Sequence, residues 1–113
     1  MTDSAATFHP IPSSDRSPLA PLVPDEVTFA RGRITCVYEG QPDEVYVRTA
    51  DFWRESQLSA AELVGDLLDL DALRTEAARA GDTLTAQDCD RAADGDVEAL
   101  ERCALVRLDS ALA

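Results

Sequence analysis

The residues whose types and spacing come nearest to doing chemistry run from Asp90 to Glu101, DRAADGDVEALE. Against the calcium loop of an EF-hand, Asp90, Asp94, Glu98 and Glu101 fall at loop positions 1, 5, 9 and 12. Asp96 lies between them, Gly95 stands where the loop needs its sharp turn, and Val97 is the apolar residue that follows. Calcium takes six to eight oxygens, and the set is incomplete. Ala92, at the third position, has no oxygen, and only a short turn of helix precedes the loop. The expectation is therefore no metal site, and two capped helices meeting at Gly95.

Zinc and nucleophilic chemistry fare worse. Cys36, Cys89 and Cys103 are 53 and 14 residues apart, and the one histidine, His9, is near the N-terminus. No pair has the short spacing a zinc site uses. On one continuous helix Cys89 and Cys103 would be ~21 Å apart, too far to share a ligand. A Ser or Cys nucleophile wants a base beside it, normally His, and His9 is poorly placed to serve. There is no Gly-rich phosphate loop. With 22 acids, carboxylate pairs of suitable spacing arise by chance. The expectation is a protein that is not an enzyme and carries no cofactor.

What remains is charge. The 22 Asp and Glu face ten Arg and no Lys, a net charge of −12 on 113 residues. Residues 1–54 carry eight acids and five Arg, whereas residues 55–113 carry 14 acids and five Arg. Solubility of a small domain asks for a net charge of only about 2–8 in magnitude, so the excess suggests a surface suited to a basic partner. The same charge opposes direct binding to nucleic acid, whose affinity comes mainly from neutralised phosphates. Glu62, Asp66 and Asp69 are spaced as one helix face. Like charges at such steps repel by a few tenths of a kcal/mol each. With Glu98 and Glu101 they form the expected acidic binding face.

The elements that must position these residues are legible in outline. Residues 1–24 read as an extended or disordered arm. Pro10, Pro12, Pro18, Pro21 and Pro24 each remove a backbone donor and push the preceding residue toward extended geometry. Leu19, Leu22 and Val23 between those prolines are the contacts such an arm would use to grip a neighbour. Residues 25–113 read as one α+β domain. Alternation over 27–49 predicts one β-hairpin with a bulge near Arg31-Gly32 and a turn at Glu39–Asp43. Phe52-Trp53 then plug the hairpin onto the helices.

Three to four helices follow, at about 59–80, 86–94 and 97–112. Ser59 with Glu62 makes a capping box, and Leu63, Leu67, Leu70, Leu73 and Ala77 form an apolar stripe. Asp69-Leu70-Asp71 could divide that helix in two. Thr85 with Asp88 repeats the box, with Leu84 stapled to Cys89. Val97, Leu100, Ala104, Leu108 and Ala111 mark the last helix, and Gly95 allows either a bend or a corner before it.

With 45% apolar residues the chain is not an acidic disordered tail. No apolar run approaches the ~20 residues a membrane span needs, and the N-terminus lacks a secretory pattern. An odd number of cysteines fits reduced thiols and a cytoplasmic setting, host cytoplasm or virion. The leading expectation is a non-enzymatic inhibitor that offers carboxylates where a nucleic-acid-binding partner expects phosphates, as anti-restriction and anti-CRISPR proteins do. The runner-up is a tail or head–tail component of a phage particle, for which arm and hairpin make subunit contacts and a homo-oligomer is possible. An antitoxin or dedicated chaperone is the third.

Overall fold

Four strands, the last three joined by two-residue turns and the first reached through the proline-rich segment, form an antiparallel sheet, and five helices follow it. The computed structural model describes residues 5–112, and within that span leaves aside the side chains of Pro42 and Asp43. The strands are β1 (Ala6–Phe8), β2 (Glu26–Ala30), β3 (Arg33–Tyr38) and β4 (Gln41–Tyr46), in that order across the sheet. The helices are α1 (Thr49–Ser56), α2 (Ala60–Val64), α3 (Leu70–Arg79), α4 (Thr83–Ala93) and α5 (Val97–Leu112), with a 3₁₀ turn at Gly65–Leu67 after α2. The fold class is mixed α+β.

The single hairpin expected over 27–49 is instead three strands of a meander. Arg31 and Gly32 both have positive φ, 55° and 71°, and so do Glu39 and Gly40, at 50° and 80°. Two central residues with φ > 0 make the primed turn whose twist matches a two-residue hairpin. The change of phase at Arg31-Gly32 is thus a chain reversal and not a bulge. It lets Val27 pair with Cys36 and Phe29 with Ile34 on the side facing the helices. A register shift lies further on, where Cys36 pairs with Glu44 but Val37 with Pro42.

The segment before β2 is laid along the body. Phe8 of β1 pairs opposite Val27 and is fully buried, and Pro24 is buried with it. Phe8, Phe29, Phe52, Tyr46 and Trp53 make a chain of edge-to-face rings with centroids 5.1–5.8 Å apart. These rings, with Ile34, Leu63, Val64, Ala104 and Leu108, form the main core between the sheet, α1, α2 and α5. A second, smaller core of Leu73, Cys89, Ala92, Ala99 and Cys103 lies among α3, α4 and α5. α5 serves both.

The helix expected over 59–80 is divided. Gly65 takes φ 53° and ψ −123°, and the 3₁₀ turn ends at Leu68 in an extended conformation. Asp69 then caps α3, accepting from the Ala72 N–H. The apolar stripe is shared out accordingly. Leu63 enters the main core, Leu73 the second, and Leu67 is exposed. α4 begins three residues before the expected 86, because Asp82 and not Thr85 is its cap. Thr85 donates to Asp82 from both its N–H and its hydroxyl, and Leu84 points to solvent instead of stapling Cys89.

Candidate functional site

The five carboxylates of the expected binding face part company. Glu62 is 7% exposed and serves the interior. Its carboxylate accepts from the Ser59 N–H and closes the capping box that starts α2. It also accepts from the Ser13 N–H and makes an ion pair with Arg16 at 3.1 Å. Arg16 donates further to the carbonyls of Pro21, Ser56 and Gln57. Burial pushes the Glu62 pKa up, but the Ser13 and Ser59 N–H donors and the Arg16 guanidinium outweigh it and hold the carboxyl below its ordinary value. Spacing on a helix could not reveal this, since the partner cation comes from the proline-rich segment 46 residues earlier.

Glu101 is half-buried and also spoken for. Its two oxygens accept from the N–H groups of Ala60 and Ala61, at 2.8 and 3.1 Å. A carboxylate there satisfies donors that the first turn of α2 leaves open and complements the dipole. Asp69 caps α3, and Asp96 caps α5 by accepting from the Glu98 and Ala99 N–H groups. Only Asp66 and Glu98 of the expected face are exposed without such a role among the described residues. Glu62, Asp66 and Asp69 do not form one ridge, because the helix breaks between them.

The topology nevertheless gathers a different set of acids. α3 packs on α4 and α4 on α5, with short turns, so neighbours run antiparallel. The start of α3, the end of α4 and the start of α5 therefore share one end of the helical layer. An Arg74–Asp90 ion pair of 2.7 Å pins α3 to α4 there. Asp69, Asp71, Asp90, Asp94, Asp96 and Glu98 all fall at that end, with Arg74, Arg91 and, one turn further into α5, Arg102 the arginines nearest them. All six carboxylates belong to exposed residues. Among the described residues, no ion pair within 4 Å and no capping bond to a backbone N–H engages the carboxylates of Asp71, Asp94 and Glu98, although Arg102 lies near enough to Glu98 to feel its charge.

Asp90, Asp94, Asp96 and Glu98 of the EF-hand-like match are in this set, but the loop is not an EF-hand loop. Asp90 is still within α4 and bonded to Arg74, Asp94 ends α4, and Asp96 faces the N–H groups of α5. Glu101 is turned away to α2. Among the described residues no group of three or more His, Cys, Asp or Glu side chains is placed to hold a metal ion. The cysteines do not act together with His9, which lies 3.8 Å from Glu26 in the open.

Leu19 and Leu22 project from the proline-rich segment at 93% and 83% exposure, while Val23 packs against the main core. Leu22 and Val23 edge an open groove of about 570 Å³ whose other side is Tyr38, Glu39 and Glu44. Glu44 accepts from the Tyr38 and Tyr46 hydroxyls.

The fold and these surfaces define a small acidic α+β protein. No helix among the described residues is long and apolar enough to cross a membrane. No protein-family model, curated protein or solved structure matches the chain.

Proposed function

We propose that this protein is a non-enzymatic binding module that engages a basic protein surface, as an inhibitor or nucleic-acid mimic would. The observation that carries the reading is the acidic end of the helical layer. Six exposed carboxylates fall on three helix termini at one end of the layer, and Arg74, Arg91 and Arg102 are too few to neutralise them. Carboxylates held on rigid helix ends can meet arginines and lysines that ordinarily meet phosphates. The resulting field steers a basic partner in from a distance and suppresses acidic ones. The face is not the helix ridge that spacing alone suggests, because Glu62 and Glu101 work inside the molecule.

Capture from the source cell at low and at high ionic strength tests this. The expected result is a basic partner retained at low salt and released at high salt, and not retained by an Asp71→Lys/Glu98→Lys variant. A partner held equally well by that variant would overturn the assignment of this face.

A second reading is favoured by Leu19 and Leu22, two large apolar side chains left in solvent on an otherwise anchored segment. In that reading the chain is a particle-assembly component and those leucines grip a neighbouring subunit. Salt-resistant association that is lost in a Leu19→Ser/Leu22→Ser variant would favour it over the first.

A further inference from the structure

The break at Gly95 turns α5 back along α4, and so brings together two cysteines that one continuous helix would separate. The Cys89 and Cys103 sulfurs lie 3.8 Å apart, both buried, at 2% and 0% exposure. We propose that Cys89 and Cys103 are an oxidisable dithiol that closes to a disulfide between α4 and α5 while the fold is intact.

A disulfide needs its sulfurs at about 2.04 Å. The residual approach is less than 2 Å, within reach of side-chain rotation and a small helix shift. The reaction is thiol–disulfide exchange with a low-molecular-weight disulfide as oxidant. The thiolate of one cysteine attacks that disulfide, whose S–S bond breaks, and the leaving thiolate takes up a proton. The second cysteine, as thiolate, attacks the protein sulfur of the mixed disulfide and expels the other half. In sum two protein S–H bonds are lost and one S–S bond forms. Two electrons and two protons pass to the oxidant, which leaves as two thiols.

The geometry orders the pair. The Cys103 thiol donates toward the Cys89 sulfur, which favours the thiolate on Cys89 and disfavours it on Cys103. Burial pushes both thiols up, and Cys103, with that donated bond, to about 12. Cys89 is therefore the attacking sulfur and Cys103 the resolving one.

Access comes from the composition of the second core. Around the two thiols it holds Leu73, Ala92 and Ala99 as its buried members, with Leu68, Leu70 and Leu100 only partly buried against them and none of the aromatic rings that fill the main core. Segments with few large apolar contacts open below the global unfolding free energy. Cys36 is the internal contrast. It lies in the main core under Phe8, Val27 and Phe52, with no second cysteine beside it.

The test uses the whole chain under native conditions. It is incubated with bis(2-hydroxyethyl) disulfide, followed by intact mass, thiol titration and tryptic mapping. The expected product is lighter by two hydrogens, keeps one titratable thiol, and yields peptide 80–91 joined to peptide 103–107. It melts roughly 10 °C higher than the reduced chain, the shift expected of a closed loop of this length, and a reducing agent reverses it. A Cys103→Ser variant is expected to stop at the mixed disulfide on Cys89. Three thiols that persist, closure only in denaturant, a bond involving Cys36, or a product that melts lower would each overturn the proposal.

Discussion

Arg16 and Glu62 form a largely buried ion pair that ties the proline-rich segment to the start of α2. Their side chains are 11% and 8% exposed. Removing one partner leaves the other charge buried alone, which costs more than the pair itself contributes. Arg16→Ala is therefore expected to lose about 3 kcal/mol of stability, read by denaturant unfolding. The pH dependence follows from the direction of the Glu62 shift. Its folded pKa lies below the ordinary value of 4.5, so the unfolded chain binds the proton more tightly. The contribution of the ionised carboxylate is whole above about 4.5 and is lost as pH falls through the lower, folded value. Glu62→Gln is expected to be less stable than the parent at neutral pH, with the gap narrowing below about 4.5. Melting curves across that window check it, and a gap that does not change with pH would show that the charge is not what holds the segment.

At the scale of elements, the proline-rich segment works as a strap. It supplies β1 to the sheet, Phe8 to the core and Arg16 to the start of α2, and it crosses close over the 3₁₀ turn. The Ile11 N–H donates to the Glu62 carbonyl. A Cβ on Gly65 would stand 2.5 Å from the His9 carbonyl oxygen, and Gly65 also has positive φ. Gly65→Ala therefore meets backbone, which cannot step aside as a side chain could. It is expected to cost roughly 1–3 kcal/mol, measured by thermal or denaturant unfolding. Phe8→Ala removes a fully buried ring and is expected to cost roughly 3–5 kcal/mol. Removing residues 1–24 takes away both Phe8 and Arg16, and the fragment 25–113 is expected to unfold at markedly lower denaturant than the whole chain. A fragment as stable as the parent would mean the strap only rests on the body.

For the molecule as a whole, the acidic excess has two separable explanations. Asp69, Asp82 and Asp96 each cap a helix, and Glu62 and Glu101 serve the start of α2. Part of the charge is thus the ordinary chemistry of helix starts. Asp71 and Glu98 lie in first turns and Asp94 at the end of α4, but their carboxylates cap no backbone N–H, and they are the ones the proposed partner would read. The Asp71→Lys/Glu98→Lys double variant is expected to stay folded but to melt several degrees below the parent, since each acid lies in the first turn of its helix, where its charge complements the dipole by about 0.3–1 kcal/mol. Its partner affinity should fall at least tenfold at low salt, read by calorimetric titration with the captured partner. Equal affinity would return the charge to a purely structural account.

Sequence by itself determined what depends on near neighbours. The alternation of Val27–Tyr38, the Ser59–Glu62 box, the stripe from Val97 to Leu108 and the net charge are local patterns, and each announces a strand, a helix start, a helix face or a field. The mixed α+β class follows from them. Tertiary structure decided whatever hinges on distant partners. Whether Glu62 faced water or Arg16 depended on where the strap ran, and whether Glu101 was a surface acid or a cap depended on α5 lying against α2. Whether Cys89 and Cys103 stood far apart or in contact depended on Gly95 reversing the chain, since its φ of 102° is a conformation that other residues rarely adopt. A carboxylate or a thiol has the same formula in either place, and only the packing around it selects its work.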